Sequence, residues 1–366
     1  MTGHTPAMHV TGHTRNRGAD RPASIRDVAA AAGVSHQTVS RVINRHPSVK
    51  ESTRARVEAA IAELGFRRSV TAHALASGRS RTVTVLTSNT THFGYAAALQ
   101  GVEEAARAAG FGVGVVVLDS DDDAEVELAL RRATDGGGGL IVIAYDRPGV
   151  RALELVPDNV PLVAAVETPA EPPPEGSPWV WTDDRAAAHA ATRHLLGLGH
   201  PTVHYLAIPS STRAPGTSQR AAGWRDALRE AGAPVPEPLS GGWEPADGHA
   251  AGARLARDPE VSAVLCGNDD LALGVLRALR EAGRDVPGEI SVAGFDDAPH
   301  SAFLSPALTT VRLDFGGVGR ACFALLHGLV EQGDPVAPHP VAAPRLIVRE
   351  STGPAAGGPA GPTGAP

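Results

Sequence analysis

Apolar residues recur at helical spacing from Ile25 to Leu64, then change after Thr82 to short β-branched runs separated by amphipathic stretches. Ile25, Val28 and Ala29 predict a first helix, and Ser24 before it is a good N-cap because its hydroxyl can accept from a free first-turn N–H. Ala32-Gly33-Val34 predicts a turn, since glycine enters the left-handed region at little cost. Ser35 then caps a second helix, His36 to about Asn44, with Val39, Val42 and Ile43 inward and His36, Gln37, Ser40 and Arg41 outward. Ser52 or Glu51 opens a third helix through Leu64, whose Val57, Ala60 and Ile61 close a small core against Val28 and Val39.

The later pattern predicts an α/β body. Strands are expected at Val83–Leu86, Val113–Leu118, Leu140–Ile143 and Pro161–Val166, with helices at about Ala96–Ala109 and Asp123–Thr134 between them. Val180-Trp181-Thr182-Asp183-Asp184 leads into a helix from about Arg185 to Leu198. Strands then follow at Val203–Ile208, Pro238–Gly241, Val261–Cys266, Ile290–Gly294 and Thr309–Val311. Such alternation gives parallel sheets with right-handed crossovers, here in two lobes with a cleft at the carboxyl ends of their strands. The expected division is a disordered tail over 1–22, a helix-turn-helix unit over 23–68, a connecting segment over 69–80, a body over 81–352, and a Gly/Pro/Ala-rich disordered tail over 353–366. Within the body, the first lobe is expected at about 81–180 plus 314–352 and the second at about 181–313.

Charge divides the chain in the same place. Residues 1–80 carry twelve Lys and Arg against five Asp and Glu, a surplus of seven positive charges, which leaves fourteen negative on residues 81–366 for the net −7 of the whole chain. A basic head on an acidic body suits a protein that attracts phosphate at one end. Two cysteines, Cys266 and Cys322, make neither a disulfide framework nor a metal-ligand spacing and fit a reducing cytoplasm. No apolar run approaches a membrane span or a signal core. His4, His9 and His13 lie in the polar tail and are not read as metal ligands, and no cofactor is expected.

Two sets of residues carry candidate chemistry. The outward face of the second helix joins short polar side chains to a guanidinium, the kind of surface that reads base edges in a major groove. Lys50, Thr53 and Arg54 lie at the start of the third helix, where free N–H groups suit a DNA phosphate. In the body, Ser88, His92 and Tyr95 fall at strand ends of the first lobe, and Arg220, Trp243, Asn268 and Asp296 at those of the second, with Phe315 in the closing segment. A sugar needs paired acceptors and donors for its hydroxyls, a fork that locks two at once, and flat rings over its C–H faces. Asn268-Asp269 could instead simply cap the helix that follows. Asp297 and Trp224 read as structural, and Cys266 as a buried small residue.

The run Val34-Ser35-His36-Gln37-Thr38-Val39-Ser40-Arg41-Val42-Ile43-Asn44, followed by Val49, Thr53, Arg54, Val57, Ala60 and Leu64-Gly65-Phe66, resembles the DNA-binding head of the LacI/GalR (lactose-repressor) family. The resemblance continues through a type I periplasmic-binding-protein-like body to about Thr352. It implies base contacts from His36, Gln37 and Arg41, and mostly phosphate contacts from Ser35, Thr38, Ser40 and Asn44. Ser24, Ile25, Lys50 and Thr53 complete the implied DNA-contacting set of the head. It also implies that 69–80 is a hinge helix in the minor groove, with Leu75 wedged between base pairs and Ala72 and Ala76 beside it. Arg68-Ser69 departs from the family's usual Pro-Asn at the hinge start. In the cleft, Arg220, Asp296, Trp243, Asn268 and Phe315 match effector contacts. Leu313 stands where a glutamine would be expected and cannot bond a hydroxyl, which counts against a galactoside.

The function implied is a cytoplasmic, ligand-responsive repressor of carbohydrate-utilisation genes, released from a pseudo-palindromic double-stranded operator by a small sugar. Without heptad leucines in the tail, a homodimer is expected. The alternative is a sugar-binding transport component, against which the basic head and the absence of an export signal count. An enzyme is not expected, since the cleft lacks a nucleophile–base pair and a Gly-rich phosphate loop.

Overall fold

The computed structural model describes residues 23–43, 46–66, 81–171, 173, 177–209, 218–332 and 339–355. Two compact units divide the chain, residues 1–78 and 79–366.

The first unit holds α1 (Ile25–Ala32), α2 (His36–Ile43) and α3 (Glu51–Glu63). Ser24 opens α1 with a reciprocal cap. Its hydroxyl accepts from the Asp27 N–H at 3.3 Å, and the Asp27 carboxylate accepts from the Ser24 N–H at 2.7 Å. Gly33 closes the helix at φ +60°, the left-handed turn expected there. Val28, Val39 and Val57, one from each helix, are fully buried and form the centre of the small core. The predicted hinge, with Ala72, Leu75 and Ala76, lies outside the described residues, as do Asn44 and the predicted tails up to Pro22 and from Ala356 onward.

The second unit contains two six-stranded sheets. The first comprises β1 (Thr82–Thr87), β2 (Gly112–Val117), β3 (Leu140–Ala144), β4 (Leu162–Val166), β5 (Trp179–Trp181) and a late strand, β11 (His339–Pro340). Their order is β11-β5-β4-β3-β1-β2, parallel throughout. The second comprises β6 (His204–Ala207), β7 (Leu239–Ser240), β8 (Ala263–Cys266), β9 (Ser291–Asp296), β10 (Thr309–Arg312) and β12 (Arg345–Ile347), in the order β12-β10-β9-β8-β6-β7. In each lobe the chain reverses direction across the sheet after its second strand, so ligands are favoured outside the carboxyl ends near β1 and β3, or β6 and β8.

Helices cover both faces. On the first sheet, α4 (Phe93–Ala108) and α11 (Phe315–Gln332) form one layer with Tyr95, Ala98, Val102, Val318 and Cys322, while α5 (Asp123–Thr134) and α6 (Arg147–Leu155) form the other. On the second sheet, α7 (Asp184–Gly197) and α8 (Gln219–Glu230) pack through Ala188, Leu195, Trp224 and Leu228, opposite α9 (Pro245–Leu255) and α10 (Asp269–Glu281). The α9–α10 crossing is so close that a Cβ on Gly274 would lie 1.9 Å from the Pro245 carbonyl oxygen, which glycine alone permits. Trp224 is core, as expected, and its indole N–H donates to the Val203 carbonyl at 2.8 Å. Helices α6, α8, α9 and α11 are additional to those expected from the sequence.

One boundary needs correction. The segment 314–352 was expected to complete the first lobe as a whole, but only its first part does so. After α11 and β11, the chain returns to the second sheet, where β12 pairs antiparallel with β10, Thr310 opposite Ile347. Ser351 then bonds the backbone of Val292 through both its hydroxyl and its carbonyl, and the Gly353 N–H donates to Ser291 at 3.0 Å. Gly353 to Ala355, assigned to a disordered tail, are likewise ordered here, the Ala355 N–H donating to the Leu198 carbonyl. The edge of β10 otherwise offers unpaired backbone groups, and pairing β12 there satisfies them. The chain therefore passes between lobes three times: after β5, after β10 and after β11.

Candidate ligand cleft and DNA-reading surface

In the head, the Ser35 hydroxyl accepts from the Thr38 N–H at 3.2 Å and lies 2.9 Å from the Thr38 hydroxyl, so both residues start α2. His36, Gln37 and Arg41 are exposed on that helix, and Ser40 is half-buried. This leaves a guanidinium, an imidazole and an amide on the surface at i and i+4 spacing, a reach that suits base edges. Lys50 is exposed at the N-cap of α3, Thr53 is half-buried in its first turn, and Arg54 is drawn back to the His46 carbonyl at 3.2 Å and toward Glu51. Ser24 is occupied by its capping box, and Ile25 packs against the head core.

In the body, a cleft of about 540 Å3, open solvent included, lies between the lobes at the carboxyl ends of the strands. Both lobes contribute to a mostly aromatic wall, His92, Tyr95, Tyr145 and Phe315 from the first and Trp243 from the second. His92 and Trp243 stack at 5.2 Å, Tyr95 meets Trp243 edge-on at 6.2 Å, and Tyr145 tilts against Phe315 at 5.8 Å. Burial raises the Tyr95 phenol well above its ordinary pKa, and the Asp146 carboxylate adds to this.

The second lobe supplies the polar wall. Arg220, only 8% exposed, donates from Nε to Asp184 at 3.3 Å and from a terminal nitrogen to the Gly267 carbonyl. Asp296 is 3.8 Å from the same guanidinium, which also lies 4.6 Å over the Phe295 ring. Burial opposes the arginine's charge, but Asp184 and Asp296 outweigh it and its pKa moves up. Burial pushes the Asp296 carboxyl well up, with Arg220 opposing.

Asp296 and Asp297 close β9 with φ of 106° and 54°, a region few side chains adopt. The surrounding bonds hold them there. Asp297 accepts from Arg312 and Arg349, both at 2.6 Å, and its N–H donates to Thr310 at 3.3 Å. Neighbouring Asp269 accepts from the Ala298 N–H and from the Ser301 and Thr310 hydroxyls, while burial brings its pKa to about 6. Asp297 and Asp269 are thus structural supports, and the strain at the end of β9 sets the position of Asp296.

Of the predicted cleft residues, His92, Tyr95, Arg220, Trp243, Asn268, Asp296 and Phe315 line the cavity. Asn268 does both things the sequence left open. It caps α10 by accepting from the Leu271 N–H at 2.8 Å, and its amide donates to the Trp243 carbonyl at 3.1 Å, fixing the loop that carries the indole. Ser88 is not in the lining, contrary to expectation. Its hydroxyl is hydrogen-bonded to Asp146, which caps α6 through the Gly149 N–H, so it ties β1 to the neighbouring strand's loop. Leu313 is buried in the second lobe's core, so its side chain leaves no unfilled polar role in the cleft. Tyr145, Glu167, Asp184 and Asp270 also line the cavity and were not proposed as site residues. Each follows a strand's carboxyl end by one to four residues, the one signal that would have found them. Among the described residues no group of His, Cys, Asp and Glu could hold a metal ion, and no helix is long and apolar enough to cross a membrane.

Residues 24–69 match the family described as bacterial regulatory proteins, lacI family, and residues 192–352 match a periplasmic binding protein-like domain. The transcriptional regulator reg1 of Streptomyces lividans is 32% identical over 91% of this chain and 97% of its own length. The chain belongs to the LacI family. Escherichia coli K12 GalR, another member, is 33% identical over 79% of this chain and 84% of that protein. A lac repressor dimer bound to operator and the anti-inducer ONPF superposes with a TM-score of 0.80 at 29% identity, covering 91% of this chain and all of that one. A CelR–cellobiose complex gives 0.65 at 29% identity, over 90% of this chain and all of that one. This LacI-family chain is accordingly a ligand-responsive, sequence-specific DNA-binding transcriptional regulator and not an enzyme.

Proposed function

We propose that the protein is a cytoplasmic homodimeric repressor that reads a pseudo-palindromic operator through α2 and is released when a small sugar fills the cleft. The observation that carries the sugar reading is the buried Arg220 between Asp184 and Asp296, faced by stacked His92 and Trp243. Carboxylates and a guanidinium accept from and donate to ring hydroxyls, while the rings cover C–H faces. His36, Gln37 and Arg41 contact base edges. Ser35, Thr38, Ser40, Asn44, Lys50 and Thr53 contact phosphate, with Ser24 and Ile25 at the edge of the interface. Leu75, flanked by Ala72 and Ala76, wedges into the minor groove. Val115 and Val117, 44% and 45% exposed on the edge strand β2, and Phe303, 87% exposed, favour a second copy as partner. A sugar can shift this equilibrium only if it binds the released state better.

The test is fluorescence anisotropy of the full-length protein on inverted repeats from its own upstream region, with and without a panel of sugars. We expect one repeat to bind tightly, with affinity falling steeply with salt, and one sugar to release it. Equal affinity for every repeat and for random duplex would overturn the proposal.

A further inference from the structure

We infer that Thr168, which lies outside the cleft lining, is a positioning residue for the effector site. Its hydroxyl fastens the first crossing between the lobes and so fixes the Asp184 carboxylate that orients Arg220, an inference that rests on the reading of the cleft as a sugar site. Strands β4 and β5 pair as far as Ala165 opposite Val180, and β5 ends at Trp181, where the chain leaves for the second lobe. Beyond that point a side chain takes over from the backbone ladder. Thr168 Oγ1 donates to the Thr182 carbonyl at 2.6 Å and accepts from the Asp184 N–H at 2.8 Å. One hydroxyl from the first lobe thus grips the crossing at two points.

Asp184 is the first residue of α7 and stands at the end of that crossing. Its carboxylate is held at both oxygens. The Thr182 hydroxyl donates to one at 2.9 Å, and Arg220 Nε donates to the other at 3.3 Å. Thr182, Asp184 and Arg220 all line the cavity and all are buried. Hydrogen bonds linked in a buried network reinforce one another, so the placing of the Thr182–Asp184 backbone is carried through the carboxylate to the guanidinium. Without the Thr168 hydroxyl, the Asp184 N–H keeps its 3.0 Å bond to the Thr182 carbonyl. That bond closes a three-residue turn but does not tie the turn to the segment after β4. Valine keeps threonine's branched shape and offers neither donor nor acceptor, whereas serine keeps the hydroxyl and drops the methyl. The two substitutions therefore separate hydrogen bonding from packing.

The experiment compares the full-length protein with Thr168→Val and Thr168→Ser by titration calorimetry against glucose, galactose, maltose and cellobiose. Whichever sugar binds the wild type should bind Thr168→Val about tenfold more weakly, a difference of about 1.4 kcal/mol, and Thr168→Ser within about twofold. A ligand-free measurement follows the same path: thermal unfolding of Thr168→Val, Arg220→Lys and the double variant. When Thr168 acts through Asp184 on Arg220, the double variant loses less than the two single losses added together. Equal sugar affinity in Thr168→Val overturns the inference and leaves the sugar reading standing. An equal loss in both Thr168 variants marks a packing role and overturns it too, as do additive losses in unfolding. Silence of the wild type toward all four sugars overturns the sugar reading, and the unfolding cycle then decides alone whether Thr168 positions Arg220.

Discussion

The head and the body recognise their partners in opposite ways. The head keeps its proposed DNA-reading residues outside, with His36, Gln37 and Arg41 exposed on α2 over a small core around three valines. The body places its own inside, where Arg220 and Asn268 are buried and Asp296 has its ionisation shifted by burial. Exposed charges are screened within a Debye length, whereas buried pairs are screened far less. Salt should therefore tune DNA affinity while leaving the cleft nearly untouched, and mutations should separate the two events cleanly.

The largest effect expected of a single change lies in the body. Arg220→Ala leaves Asp184 and Asp296 buried without their shared cation, a loss of about 3–5 kcal/mol. Differential scanning calorimetry should show the body's transition lowered by about ten degrees. At temperatures where it stays folded, the variant should bind operator and no longer respond to sugar. An unchanged induction curve would take Arg220 out of the site. Next in size is the reverse experiment in the head. Gln37→Ala should weaken operator binding by about 1–3 kcal/mol and relax preference at one base pair, with sugar affinity unmoved. A parallel loss of sugar binding would break the separation argued above.

The smallest effect is a pH dependence confined to the second lobe. Burial lowers the pKa of His194, His200 and His204. His200 has a neutral ring's pattern of partners, Ser262 at one nitrogen and Ser291 with the Gly353 carbonyl at the other. A histidine with a depressed folded pKa contributes stability above its unfolded value, and that contribution is lost as pH falls toward the folded one. The raised carboxyls of Asp269 and Asp296 act in the opposite sense over the same range, so the histidine contribution is read as a difference: the midpoint advantage of the wild type over His200→Gln should shrink from neutral pH to below about 6. A difference that stays constant or grows on acidification would contradict it.

The two regions also differed in how far they could be read beforehand. Helical spacing alone placed Val28, Val39 and Val57 together and left His36, Gln37 and Arg41 outside, because a helix fixes its faces locally. The cleft draws on loops after many different strands, so no local period marks it. Arg220 and Asp296 were legible from side-chain chemistry near predicted strand ends and from resemblance together, whereas Glu167, Asp184 and Asp270 emerged only when the strand ends were brought together. Ser88 also sits at a strand end, yet Asp146 takes its hydroxyl, a contact across 58 residues that no spacing rule foresees. The return of β12 to the second sheet was hidden for the same reason: Arg345-Leu346-Ile347 is a three-residue strand whose place depends on the free edge of β10.

That return has a mechanical consequence. With 345–355 sewn onto the second sheet, the lobes are held by three neighbouring strips of chain rather than two. Three pins in a row behave like a door hinge: they let the leaves swing open and shut but resist one leaf twisting on the other. Whatever molecule sits between the leaves then sets a single angle, which is a quantity a DNA reader on the same chain could be built to follow.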